Sequence, residues 1–126
     1  MTSVLVDTSV WIDHLHRPDD ELLELLRSSA VVVHPMVVGE LALGTIKDRP
    51  AVLGALAGLR SITAARHIDV MHLVDQRGLF GRGLSLVDAH LLASTLVAEN
   101  VALLTRDTGL KTACDDLGIA YDSTSC

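Results

Sequence analysis

The sequence predicts an α/β fold, a three-layer α/β/α sandwich around a central, mostly parallel sheet, and two observations carry that expectation. Three short branched runs, Val4-Leu5-Val6, Ala30 to Val33 and Val101 to Leu104, lack the polar alternation of a half-exposed strand, so each fits a strand covered on both faces. Between them lie segments with helical periodicity and helix caps, the order that builds a parallel sheet with helices packed on it. The 126 residues make one domain, residues 1–126, large enough to bury a substantial core.

After the first strand, Ser9 to Leu15 reads as a short helix that Arg17-Pro18-Asp19 breaks. Asp19 or Asp20 caps a second helix, in which Leu22, Leu23, Leu25 and Leu26 form an apolar stripe beside the solvated Glu21 and Glu24. Pro35 follows the second strand at a first helical position, where its missing N–H costs nothing, and that helix runs to about Gly44. Lys47-Asp48-Arg49-Pro50 marks an exposed turn. The helix from Ala51 to Leu59 that follows is rich in Gly and Ala, and its glycines weaken it by about 1 kcal/mol each. Ser61 to Ala64 fits a short strand, and Arg66 to Arg77 a helix with Ile68, Met71, His72 and Val74 turned inward. Gly78, Gly81 and Gly83 punctuate a loop from which no phosphate-cradling GxGxxG can be made. Ser85 caps the clearest helix, Ser85 to Glu99, and Asn100 ends it. Beyond the third buried strand, a helix from about Gly109 to Leu117 is closed by Gly118. Ile119 to Tyr121 makes a last short strand before the polar tail, Asp122 to Cys126.

Composition narrows the function. Hydrophobic residues make up 49% of the chain, which suggests that a partner covers part of the surface. Trp11, Phe80 and Tyr121 are the only aromatics, too few for a platform on which nucleic-acid bases stack. The net charge of −6 repels a phosphate backbone unless the acids are gathered in one place and neutralised by cations. Cys114 and Cys126 are too few for a zinc site or a disulfide framework, which suits a reducing cytoplasm. The start of the chain lacks the pattern of a signal peptide. The low-charge stretch Leu84 to Ala98 is shorter than the roughly 20 apolar residues that span a bilayer.

Four carboxylates stand out. Asp7 is the only charged residue between Met1 and Ile12, Glu40 the only one from Ser28 to Thr45, and Asp88 the only one between Leu84 and Ala98. Asp107 follows the third buried strand. Each has a structural alternative. Asp7 and Asp107 fit helix N-caps, Asp88 fits a capping box with Ser85, and Glu40 can face water. The functional alternative gathers them at the carboxyl edge of the sheet, where open α/β folds bind ligands. Like charges packed together raise one another's pKa, and a divalent cation reverses that. An all-oxygen donor set favours Mg²⁺ or Mn²⁺ over Zn²⁺. Such a site suits metal-assisted phosphodiester hydrolysis. Thr8, Ser9 and Thr105 offer hydroxyls to orient water or phosphate, and Arg82 and Arg106 offer contacts to backbone phosphates. The six histidines are scattered along the chain and read as surface or core residues.

Asp7-Thr8-Ser9, Pro35 to Glu40, Ser85-Leu86-Val87-Asp88-Ala89 and Leu103-Leu104-Thr105-Arg106-Asp107, in that order, resemble the motifs of a PIN domain. The small single-domain form is similar to the VapC toxins of VapBC toxin–antitoxin pairs, and the resemblance covers essentially the whole chain. It implies a Mg²⁺-dependent endoribonuclease toxin in which Asp7, Glu40, Asp88 and Asp107 form the acidic quartet, assisted by Thr105 or Ser9. It also implies a homodimer and a cognate VapB-type antitoxin whose C-terminal segment enters the acidic groove. Leu110 departs from the pattern, since many relatives carry Phe there. One rival is a phosphatase of the haloacid-dehalogenase type, which wants a second Asp where Ser9 stands. Others are a receiver domain, whose late lysine has no counterpart in the setting of Lys111, and a PIN-like binding module without activity.

Overall fold

The computed structural model describes residues 2–122; the polar tail expected beyond Asp122 lies outside them. Strands β1 (Ser3–Val6), β2 (Val31–Val33), β3 (Arg60–Ser61) and β4 (Val101–Leu104) form one sheet in the order β3-β2-β1-β4, and every pairing is parallel. Seven helices are described beside them: α1 (Thr8–His16), α2 (Asp20–Arg27), α3 (Pro35–Leu43), α4 (Arg49–Ala57), α5 (His67–Gln76), α6 (Leu86–Val97) and α7 (Thr108–Leu117). Val4, Leu5 and Val6 are at most 1% exposed, as a central strand covered on both faces requires. Around them pack Leu22 of α2, Val37 and Leu41 of α3, Leu91 and Leu92 of α6, and Leu110 and Ala113 of α7.

The strand order places the site. From β1 the chain steps outward to β2 and β3, then crosses back to lay β4 on the other side of β1. With right-handed crossovers, that reversal puts the earlier helices and the α5–α6 pair on opposite faces, giving the three layers expected. It also opens a crevice at the carboxyl ends of β1 and β4, the topological switch point where such sheets take ligands. Asp7 ends β1 there, and Thr105-Arg106-Asp107 leaves β4 beside it.

Several boundaries differ from expectation. Pro50 belongs to the first turn of α4, not to the turn before it, because proline's fixed φ suits a first turn. The edge strand is Arg60–Ser61, paired with Val32 and Val33, so the expected strand from Ser61 to Ala64 begins one residue earlier and ends sooner. Ile119 to Tyr121 contributes a single parallel bridge, Leu103 to Ala120. The inward face of α5 differs from expectation except at Val74: Ile68 is 68% and Met71 42% exposed, and His72 is exposed, whereas Val70 is fully buried. Val70 packs against the small Ala89 and Ala93 of α6, and Leu73 and Val74 share its face by helical spacing, which turns Ile68 and Met71 outward.

Candidate metal and catalytic site

Asp7 occupies the N-cap position of α1, yet its side chain makes no capping hydrogen bond. Its Oδ2 instead accepts from Ser9 Oγ at 2.7 Å and from Thr105 Oγ1 at 2.8 Å. Only 6% of Asp7 is exposed, and burying a carboxylate is costly unless hydrogen bonds or a cation compensate. The two hydroxyls supply part of that compensation and fix the carboxylate's orientation. Thr105 does a second job, since its Oγ1 accepts the Asp107 N–H at 3.1 Å.

Asp107 does cap α7, accepting the Leu110 N–H on Oδ1 at 3.0 Å. Asp88 also takes its structural role, in a complete capping box. Its Oδ2 accepts the Ser85 N–H at 3.0 Å and Ser85 Oγ accepts the Asp88 N–H at 3.1 Å. Both roles leave the acids at the crevice. Burial, and then the charges of Asp7 and Asp107, push the Asp88 carboxyl above its ordinary range, against the lowering effect of the Ser85 bonds. Glu40 is exposed on α3 and is tied to the group by Thr8, whose hydroxyl donates to Glu40 Oε1 at 2.6 Å.

Among the described residues the hydrogen bonds of each acid fall on one oxygen: Oδ2 of Asp7, Oε1 of Glu40, Oδ2 of Asp88 and Oδ1 of Asp107. A second, hard oxygen remains on each, which is the donor chemistry of a Mg²⁺ or Mn²⁺ site. As the side chains stand, no three His, Cys, Asp or Glu groups among the described residues are gathered tightly enough to hold an ion. Behind the site, burial above all pushes the Cys114 thiol up to about 12, with the charges of Asp115, Asp7 and Asp88 adding to it. That thiol is therefore chemically quiet.

The two arginines already have partners. Arg82 Nη2 meets Asp116 at 2.8 Å, and Arg106 bridges Asp19 and Glu21 at the start of α2. Asp19 is held below the ordinary carboxylate range chiefly by its bond to Arg106. Sequence reasoning offered Thr8 only as a hydroxyl for water or phosphate; its partner Glu40 lies 32 positions away, and nothing local signals the contact. The histidines are less scattered than the sequence suggested. His34 Nε2 and Ser94 Oγ are 3.0 Å apart, and His67 stacks on His90 with ring centroids 5.5 Å apart. His90 and Ser94, four apart on α6, were the one available hint of that cluster.

A PIN domain is matched over residues 4–115. The chain is 49% identical over 117 residues, 93% of its length, to Ribonuclease VapC32 of Mycobacterium tuberculosis, in both the CDC 1551 and H37Rv strains, and covers 94% of that protein. In three dimensions it is similar to the crystal structure of PAE2754 from Pyrobaculum aerophilum, with a TM-score of 0.56 at 17% identity over 93% of this chain and 97% of that one. The latter likeness concerns the fold alone.

Proposed function

The chain belongs to the PIN domain family, and on that premise we propose that it is a metal-dependent endoribonuclease, the toxin of a toxin–antitoxin pair. The observation that carries this reading is at the sheet's switch point: Asp88 feels the charges of Asp7 and Asp107, and Thr8, next to Asp7 in the chain, bonds to Glu40. The resemblance in sequence to a ribonuclease of the VapC type over nearly the full length of both chains supports it.

Asp7, Glu40, Asp88 and Asp107 are the proposed ligands, for Mg²⁺ with Mn²⁺ as a substitute. When bound, such an ion supplies Lewis acidity to the phosphoryl group and acidifies water. The chain's own part is orientation. Ser9 and Thr105 aim Asp7, Thr8 aims Glu40, and Ser85 aims Asp88. Arg82 and Arg106 are proposed to exchange their carboxylate partners for RNA phosphates, an exchange that is cheap because partly exposed ion pairs are each worth about 1 kcal/mol or less. A cytoplasmic homodimer held in check by a VapB-type antitoxin completes the proposal. Among the described residues no helix is long and apolar enough to cross a membrane.

The test is incubation of the purified chain with an RNA pool, with and without Mg²⁺, followed by mapping of the cut ends. Discrete cuts that need the metal and vanish in Asp7→Asn are expected. Cleavage undiminished in both Asp7→Asn and Asp88→Asn would overturn the assignment.

A further inference from the structure

A cleft of about 490 Å³ opens beside Glu40. Ile12, Leu15 and His16 of α1 form one wall, Leu41 and the turn 44–47 form the other, and Glu40 lines it as well. We propose that this cleft seats the base of one unpaired RNA nucleotide adjoining the bond that is cut, with Lys47 meeting a neighbouring phosphate. The cleft thereby selects the flanking nucleotide; this rests on the ribonuclease reading above.

The volume lies within the range of small-ligand pockets, roughly 300–1,000 Å³. Aliphatic walls suit the flat faces of a base, and the Thr45 hydroxyl with the 44–47 backbone suits its polar edge. Ile12 and Leu15 are 41% and 37% exposed, so they offer apolar surface without being spent on the core. Charge points the same way. Arg66, Arg82, Arg106 and Lys111 are each paired with a carboxylate. Arg17, Arg27, Arg49, Arg60, Arg77 and Lys47 make no ion pair among the described residues, and of these Lys47 lines the cleft, beside the exposed His16, where it can meet a phosphate. Glu40 belongs to both places, lining the cleft and bonding to Thr8 next to Asp7. A nucleotide in the cleft is therefore adjacent to the phosphate at the acids. Bases stacked in a duplex cannot enter such a slot, so the nucleotide must be unpaired.

The experiment compares the native chain with Leu15→Trp, which fills the cleft, and Lys47→Gln, which removes the cation at an exposed position. Each is given the RNA pool with Mg²⁺ and then short oligonucleotides that vary the nucleotides flanking the cut. Leu15→Trp is expected to lose or change the flanking preference and raise KM at least about tenfold on the preferred oligonucleotide. Lys47→Gln is expected to keep its thermal midpoint while the salt dependence of KM weakens by about one phosphate contact, a slope change of roughly 0.7 for single strands. Unmoved preference, KM and salt slope in both variants overturn the proposal, and if Leu15→Trp melts early the Lys47→Gln slope decides alone. A Leu15→Trp chain that cuts RNA normally but escapes a cognate antitoxin also overturns it, by assigning the cleft to a protein. Failure of the native chain to cut any RNA overturns the ribonuclease reading as well, whereas normal cleavage with unmoved preference overturns only this one.

Discussion

Asp7 and His34 directly follow the carboxyl ends of β1 and β2, neighbouring parallel strands that pair Leu5 with Val32. Both are buried, at 6% and 1% exposure, and the fold uses them in opposite ways. His34 is satisfied at both nitrogens: Nδ1 accepts the Met36 N–H at 3.0 Å and Nε2 meets Ser94 Oγ at 3.0 Å, which assigns the neutral tautomer with its proton on Nε2. Burial, assisted by the charge of His90, lowers its pKa to about 4. Asp7 has one oxygen held by two hydroxyls, and, beyond burial, its charge, with that of Asp107, raises the pKa of the Asp88 carboxyl. The difference shows that a strand end is not by itself a site. The neighbour on β4, across the reversal in strand order, gives Asp7's end the partner Thr105, and the proposed function places the site there, whereas His34's end is closed by Met36 and Ser94.

The largest effect expected from this contrast is at Asp7. Asp7→Asn keeps the shape and the hydroxyl contacts but removes the charge, so RNA cleavage should fall by at least about 10³-fold, roughly 4 kcal/mol in transition-state terms, with the thermal midpoint unchanged or raised. A parallel urea series checks the stability half of that statement.

His34 should instead govern stability. Its folded pKa lies below the ordinary 6.5, so the unfolded chain binds the proton more readily, and stability is full above pH 6.5 and falls as pH drops toward 4. The loss is up to about 3 kcal/mol over that window. Urea midpoints measured between pH 7 and pH 4 should show the decline, and a His34→Gln variant should flatten it. A decline equally steep in the variant would mean that other groups carry it.

Thr105→Val probes the link between the two regions' logic. It deletes the donor to Asp7 and the acceptor for the Asp107 N–H, so activity should fall about 10- to 100-fold, as when a group that orients a metal ligand is lost, and stability should fall by about 1 kcal/mol. Cleavage rates at saturating Mg²⁺ separate misaimed ligands from weaker metal binding. The smallest change is expected at Arg106→Gln, about 1 kcal/mol or less in stability, with a several-fold rise in KM for RNA as its readout.

Much of this contrast was legible in the chain itself. The branched runs at Val4, Val31 and Val101 announced buried parallel strands, and the isolation of Asp7 and Asp88 in apolar surroundings marked them for attention. Ser85 and Asp88 announced their capping box by spacing alone. What the chain could not reveal was long-range: the strand order that sets β4 beside β1, the reach of Thr8 to Glu40, and the stacking of His67 on His90. On α5, apolar identity at Ile68 and Met71 misled because periodicity alone leaves the phase open. Packing against Ala89 and Ala93 decided it for Val70. Glu40 was equally ambiguous: it is exposed, as a solvated carboxylate would be, and still bonded to the site.

The most direct measurement is the thermal midpoint of the native chain and of Asp7→Asn as Mg²⁺ or Mn²⁺ is raised to millimolar concentrations. If the four acids share a cation, metal at 100 times its dissociation constant should stabilise the native chain by about 2.7 kcal/mol, several degrees in midpoint, and much less so Asp7→Asn. A native midpoint that millimolar metal leaves where it was, or that rises equally in the variant, would contradict the account.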